Sequence, residues 1–464
     1  MLQPTEQDTM PVAARTWTGR KRIAQVASVP DTRTEPASRR SATRARAPFA
    51  LPALALAFLL LVPSAAAQVS YDLGGTVGAE FGVAFDGTIP VAAASLELTL
   101  QGEVGQGFFP DAVFEATLQA GYDAASVDPF TFRVGPTYAK LFLDDLDLAI
   151  GSQVVAWGSV DVVGPVDVVN PRDLTYPVRN PADQRLATPM VRATFHAPEG
   201  VTVDAVLVPV FVPSTLPDER WQPATVLPPL TPGISIVGIA EPVVERPGAE
   251  LGNVQFGVRA TLDLDVAGGA DTSVVVYRGF RHTPTVSFEL LPADAPGAFV
   301  VQPRLDYGRL TLLGGDFSLV LGSYVVRGEA AYGFGDDPDG TDPRVANDTL
   351  DAVLGVETNL PGGVFLVLQG VYQHVAADAG MEADDTVSTI LAARFDPGTR
   401  TGLEVGWVHA WSDGSGVFRP NLSYTFADGL TGSVEAAVFY GRDGSAYGVW
   451  RDNSQVRLGV SFLF

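Results

Sequence analysis

Apolar and polar positions alternate along most of this chain with a period of two. In the last ten residues, Val456, Leu458, Val460, Phe462 and Phe464 fall on one face of an extended strand. Gln455, Arg457, Gly459 and Ser461 fall on the other, and Leu463 alone breaks the pattern. The same alternation sets Leu96, Leu98 and Leu100 against Ser95, Glu97, Thr99, Gln101 and Glu103. It sets Phe114, Ala116, Leu118, Ala120 and Tyr122 against Glu115, Thr117 and Gln119. From Asn253 to Val266, the face carrying Val254, Phe256, Val258, Ala260, Leu262 and Leu264 opposes Gln255, Arg259, Thr261, Asp263 and Asp265. Leu403, Val405 and Trp407 stand against Glu404 and two glycines. A helix would scatter each of these sets around its axis within two turns. Segments of about ten residues with one apolar and one polar face fit strands crossing a bilayer, lipid on one side and a wet lumen on the other.

Turn signals separate the segments, and the connections sort by length. Residues 198–200, 267–271, 361–363, 396–399 and 427–429 are short; 158–188, 213–250, 283–297, 336–348, 375–384 and 441–453 are long. Along 189–464 the two kinds mostly alternate, as expected when tight turns lie at one end of a barrel and long loops at the other. The predicted fold is all-β: a transmembrane antiparallel up-and-down β-barrel of about 18 strands. Sixteen is the alternative, because the turn within 298–335 fits either 314–316 or 322–323, and 70–92 could hold one strand or a strand plus an inward segment. Tyr122, Trp157, Trp407, Trp411, Tyr440 and Trp450 lie near predicted strand ends, where an interfacial aromatic girdle is expected.

The N-terminus changes the charge account. Arg40, Arg44 and Arg46 precede an uncharged run from Ala47 to Val62, and Ser64-Ala-Ala-Ala67 supplies small residues at a cleavage site. This is the layout of a secretory signal peptide cut after Ala67. Sixteen residues with Pro52 among them fall short of the roughly 20 needed for a helical span. Residues 1–67 are thus expected to be an extension plus a leader, with the barrel at 68–464. That leader holds nine of the 30 Lys and Arg and four of the 53 Asp and Glu, leaving 21 bases and 49 acids, a net of −28. So acidic a chain is ill suited to nucleic acid, which needs basic surface. The absence of cysteine excludes disulfides and thiolate metal sites.

The terminal strand ending on Phe464 resembles the last strand of bacterial outer-membrane barrels. That resemblance implies that Phe462 and Phe464 are read by the barrel assembly machinery. Farther up the chain, Trp157-Gly158 is followed by Asp167-Val-Val-Asn170-Pro171-Arg172-Asp173. Here the sequence resembles a broad group of porin-like outer-membrane barrels with a Trp-Gly segment and an Asp-Val-x-Asn-Pro stretch after an early strand, and Val326–Tyr332 resembles them more loosely. Asn170-Pro171 and Asp173 favour an Asx-type turn, since short polar side chains cap nearby backbone while proline fixes φ. The expectation is that loop 158–188 folds inward and narrows the lumen, with Asp161, Asp167, Arg172 and Asp173 at the constriction. The alternative is an anchor for the rim that never meets a solute.

Glu97, Glu115, Arg259, Asp263, Arg327, Glu329, Glu404 and Arg457 fall on the lumen register. They read as pore-lining charges and as an arginine–carboxylate ladder, since charged rings are how pores select. The Pro-rich loop 213–250 with Trp221 is expected to be a rigid external loop rather than a plug. Asp336–Asp342 lacks the spacing of a calcium loop and reads as a solvated turn. His196, His282, His374 and His409 are scattered without metal-ligand spacing, and no Gly-x-Ser-x-Gly elbow occurs. No enzyme, metal or cofactor is expected. The sequence points to a passive channel for small solutes, with outer-membrane lipid, those solutes and the assembly machinery as its partners. Two rivals are a plugged barrel carrying hydrophobic compounds and a structural or adhesive barrel acting through its outer loops.

Overall fold

The computed structural model describes residues 68–105, 111–160, 162–176, 179, 181–217, 219–222, 234–266, 268–337, 339–377 and 382–464. The expected leader and Asp161 lie outside them. Strands come in chain order as β1 (Gln68–Ala84), β2 (Val91–Gly105), β3 (Ala112–Asp123), β4 (Phe130–Leu143), β5 (Leu146–Gln153), β6 (Thr188–Ala197) and β7 (Val201–Val208). Next are β8 (Ser235–Ile239), β9 (Val243–Glu245), β10 (Gln255–Leu264), β11 (Ala270–Phe280), β12 (Thr285–Pro292), β13 (Ala298–Asp306), β14 (Arg309–Leu321) and β15 (Tyr324–Phe334). Then follow β16 (Thr349–Leu360), β17 (Val364–Val375), β18 (Asp384–Phe395), β19 (Thr401–Ala410), β20 (Ser415–Ala427), β21 (Leu430–Tyr440) and β22 (Gln455–Leu463).

Eighteen of these form one sheet, each antiparallel to the next, and β22 pairs back onto β1 from Thr76↔Leu463 to Ala84↔Gln455. The sheet is therefore a closed barrel, and 18 replaces the alternative of 16. The ambiguous turn lies at 322–323, where Gly322 takes φ +63°. Gly314 and Gly315 sit inside β14 instead. A Cβ on Gly314 would come within 2.7 Å of Val166, so that glycine makes room for an inward loop. Residues 70–84 belong to the single strand β1.

The connections divide as the periodicity predicts. Turns at 144–145, 198–200, 322–323, 361–363 and 428–429 share one end with the C-terminus, and the long loops share the other. One expectation fails. Residues 283–297 are not a plain loop, because β12 and β13 form a hairpin beyond β11 and β14. Segments β8 and β9 add to β13 in parallel, giving a second, four-stranded sheet at the loop end. Their two-residue period is the same as that of the wall strands, so alternation alone cannot distinguish them.

Outward faces carry Leu73, Val77, Phe81, Phe256, Val274, Leu458 and Phe462, all exposed. A belt of exposed Leu, Val and Phe this continuous needs a non-aqueous surrounding, and a closed sheet leaves no backbone unpaired within it. This is the surface of a barrel that spans a bilayer. Tyr122, Trp407, Trp411 and Tyr440 lie on the outward register, where Trp407 Nε1 and His409 Nδ1 each lie 2.9 Å from the Tyr440 hydroxyl. Trp157 and Trp450 do not join this girdle. Trp157 turns inward because its indole N–H donates to Asp204 at 2.8 Å. Trp450 packs on Trp221 and Phe439 and donates to the Trp221 carbonyl at 2.9 Å.

At the seam, Phe464 and Gly75 exchange both backbone hydrogen bonds, at 2.9 and 3.0 Å. A Cβ on Gly75 would lie 2.9 Å from the Phe464 ring and 2.4 Å from the Glu97 carbonyl oxygen. Gly75→Val should therefore destabilise the barrel by about 1–3 kcal/mol through overpacking. The check is the denaturant midpoint followed by tryptophan fluorescence in micelles; an unchanged midpoint would contradict it.

Candidate functional site: the lumen and its inward loops

The inward faces differ from one side of the barrel to the other. On β6, β7, β11 and β14 they are largely apolar toward the loop end, where Met190, Val206, Val208, Val275, Tyr277, Leu310 and Leu312 are buried, while Arg192, Asp204, Ser273 and Asp316 follow farther along the same faces. The loop 154–187 folds in and lays Val155, Trp157, Val166 and Val169 on this surface. Across the lumen, Tyr176 of the same loop and Trp221 of the β7–β8 connection pack on Val417, Ala437 and Phe439 of β20 and β21. The two segments also pair with each other. Thr215 N–H donates to the Arg172 carbonyl at 3.0 Å, and Leu174 N–H to the Thr215 carbonyl at 3.2 Å. The expected external loop 213–250 is thus divided: Ser214 and Thr215 reach inward, while β8 and β9 stand outside.

Side chains from the wall hold this backbone. Glu329 of β15 is only 4% exposed and accepts N–H groups from Ser159 and Val160 at 2.7 Å each and from Val166 at 3.4 Å. Gly158, at φ +107°, lies against that carboxylate; a Cβ there would meet Glu329 Oε1 at 2.3 Å. The Trp-Gly pair thereby has two physical reasons, an indole bonded to Asp204 and a space that only glycine leaves. Asn170 staples the ends of the loop. Its Oδ1 accepts Val155 N–H at 2.7 Å, and its Nδ2 donates to the carbonyls of Gln153 and Leu186 at 2.9 and 2.8 Å. Its oxygen therefore serves a residue 15 positions back and not its own turn. Asp173 makes the local turn, accepting Thr175 N–H at 3.2 Å.

The constriction candidates take different positions. Asp167 is buried between Arg172 and Arg185, at 2.7 and 2.8 Å, and borders neither of the two lumen cavities. Asp173 borders a cavity and joins three elements: Arg133 of β4 at 2.5 Å, Thr215 Oγ1 at 2.7 Å, and Thr175 and Arg179 of its own loop. Burial opposes its charge, but hydrogen bonds from Thr175, Arg133 and Thr215 outweigh that and hold the carboxyl well below the usual range.

Of the lumen-register candidates, Glu97 and Arg457 border the same cavity, and Glu115 a smaller one of about 410 Å³. Arg259 bridges to Asp316 at 3.0 Å and Arg327 to Glu357 at 3.0 Å. Arg327 also donates to the Ser159 carbonyl, so with Glu329 it lies behind the loop. Asp263 and Glu404 are exposed near the turn end; Glu404 stands 4.0 Å from Arg394. Arg457 donates to Glu80 at 2.6 Å and stacks 3.6 Å above the Tyr176 ring. Sequence reasoning missed Asn170 as a staple, Asp204 as a hub and Arg133 as a clamp. The inward register of Asp204 and Arg133 was readable, but the partners of all three lie 10 or more residues away. Asp336 and Asp342 are engaged by Arg278 and Arg344, as suits a turn. Among the described residues, no group of His, Asp or Glu is placed to hold a metal ion.

The larger cavity, about 890 Å³, follows the inner wall of β1–β4, β21 and β22. It reaches from Ser126–Pro129 at the loop end to Thr76, Thr431 and Ser461 toward the turn end. Its lining is rich in hydroxyls, with carboxylates Glu80, Glu97, Asp123, Asp128, Asp173 and Glu435 and guanidinium groups Arg133, Arg179 and Arg457.

Residues 119–463 match the family described as protein of unknown function (DUF1302). No curated protein matches the sequence. Solved structures similar to this one include OccK2 (OpdF) of Pseudomonas aeruginosa, with TM-score 0.49 and 12% identity over 86% of this chain and 98% of that one. OmpT of Vibrio cholerae gives 0.45 and 10% over 86% and 100%. Salmonella typhi OmpF in complex with daunomycin gives 0.43 and 10% over 85% and 97%.

Glu329→Gln should loosen the inward loop by about 1–3 kcal/mol, because one of the two oxygens that accept buried N–H groups becomes a donor. Faster proteolysis within 158–166 would show it. The Asp173 clamp behaves differently with pH. A depressed folded-state value means its stabilisation is present above the unfolded carboxyl value, roughly 3.9, and is lost only as pH falls through the lower folded value. Proteolysis at the segment that Asp173 holds, residues 172–176, should therefore not change between pH 7 and 5.

Proposed function

The chain belongs to the family described as protein of unknown function (DUF1302), and for this member we propose a passive, porin-like channel for small hydrophilic solutes in a bacterial outer membrane. The observation that carries this reading is the polar cavity along β1–β4, β21 and β22, which the two inward segments leave open. They cover the apolar parts of the lumen and meet the cavity at Asp173, Thr175 and Arg179. Water and solutes then pass along the hydroxyl-rich wall, and the loop 154–187 sets its width. Asp173 is the constriction candidate that borders this route; Arg172 and Asp167 brace it from behind. Glu97 and Arg457 line it directly. A leader cut after Ala67 would deliver the chain to the periplasm, and Phe462 and Phe464 would present it to the assembly machinery.

Selectivity follows from the lining. Six carboxylates face three guanidinium groups in the cavity, so the route favours cations modestly over anions. In planar bilayers the purified protein should conduct, with a reversal potential of cation sign in a salt gradient. Removing residues 160–185 should raise conductance at least twofold. No conductance would refute the channel, and unaltered conductance and selectivity after the deletion would refute the constriction.

A further inference from the structure

Charge in the large cavity is unevenly placed. Arg133 and Arg179 both reach the same oxygen of Asp173, at 2.5 and 3.2 Å. That side chain is 5% exposed, while the two guanidinium-bearing side chains remain 34% and 40% exposed. Its other oxygen is taken by Thr175 and Thr215. A solute arriving here meets two cations in front and one buried anion behind them. Locally the wall is positive, although the cavity as a whole is acidic.

A negative point lies on the same rung of the sheet. Glu97 on β2 pairs in register with Gln119 on β3, and Gln119 with Arg133 on β4. Paired residues point to the same face, so all three side chains look into the cavity. Two strand spacings put the backbones of Glu97 and Arg133 roughly 10 Å apart. Glu97 accepts the Gln119 amide at 2.7 Å, and among the described residues no cation stands within salt-bridge distance of it. Its second oxygen is left to the cavity. The neighbouring positions Ser95, Gly121 and Thr131 are small, so only Gln119 stands between the two points, and its amide is drawn toward Glu97.

Resting on the channel reading, we infer that this rung selects small zwitterions, held with the carboxylate at Arg133 and Arg179 and the amine at Glu97. The two side chains each cover part of the gap, so the solute's charges are best separated by a few bonds. Short ω-amino acids and dipeptides have that form. Simple cations gain Glu97 but are repelled at Arg133; simple anions meet the reverse. A neutral polyol gains neither.

The test compares four-carbon solutes that cross bare bilayers slowly: 4-aminobutyrate, putrescine, succinate and erythritol. Uptake of each radiolabelled compound is measured in proteoliposomes holding the full chain. Entry of 4-aminobutyrate should exceed each of the others at least threefold. Glu97→Gln and Arg133→Gln should each reduce that advantage below twofold, and Arg133→Lys should keep part of it. Heat-modifiable gel mobility identifies variants that have folded. Fastest entry by putrescine, a ranking by size alone, or an advantage that survives both glutamine substitutions in folded protein would overturn the inference. Those results would leave the channel standing. Failure of all four to enter, together with absent ion conductance, would instead refute the channel itself.

Discussion

Closure of the hydrogen-bond circuit is the constraint on which the rest of this structure depends. A strand in hydrocarbon cannot leave N–H and C=O groups without partners, since each would cost several kcal/mol. Each of the eighteen wall strands therefore has two neighbours, and the last, β22, must find the first. The bonds between Gly75 and Phe464 complete that seam at the chain's final residue. Gly75 is the position that lets the closing strand and its aromatic end approach the wall.

A closed wall of 18 strands encloses more volume than its own side chains fill. What enters that space is backbone from the loops, and its polar groups then need partners too. Here they are supplied largely by carboxylates and one amide. Glu329 serves three N–H groups of the loop 154–187, Asn170 joins its two ends, and Asp173 ties it to β4 and to the β7–β8 connection. At Asp173, whose charge its donors favour, an ionised acceptor makes shorter and stronger bonds than a neutral one would. Leaving such an acceptor buried without donors would be costly, so anchor and loop depend on each other. The arginine pairs follow the same economy. Arg192 meets Asp204 through two nitrogens, and Arg259 meets Asp316, each pair sitting where the loop covers the wall.

The wall was legible in the sequence because its period is local. Phe256, Val258 and Leu262 point out and Gln255 and Arg259 point in because side chains alternate along any strand. The same rule fails for β12 and β13, which alternate as the wall strands do but stand outside it. It also fails for Trp157, whose inward turn depends on Asp204, 47 residues away. The lumen register of Glu329 could be read from its neighbours. Its role could not, since the N–H groups it accepts lie 163 to 170 residues earlier. Loop 158–188 showed its turn residues but not its contacts. Asn170 illustrates the limit: a short amide beside proline suggests a local cap, yet it bonds across the loop to Val155 and Leu186.

Which part of the lumen stays open is decided by the inward residues of the wall. Val206, Val208, Val275, Tyr277, Leu310 and Leu312 make one part of it a surface that water wets poorly, so covering it with Val155, Val166 and Val169 stabilises both. Each fully buried Val or Leu contributes about 1.5–3 kcal/mol relative to exposure. Elsewhere, Thr76, Ser95, Thr131, Ser433 and Ser461 offer a covering loop no comparable gain. Hydroxyls, carboxylates and guanidinium groups there are better satisfied by water than by loop backbone. The loop therefore keeps to the apolar surfaces, the second of which lies on β20 and β21, and Asp173 meets the open part between them, with its carboxylate bonded among Arg133, Thr175 and Thr215. Apolar inward positions on β6, β7, β11 and β14 thus act on permeation without touching a solute, because they determine where the solute can go.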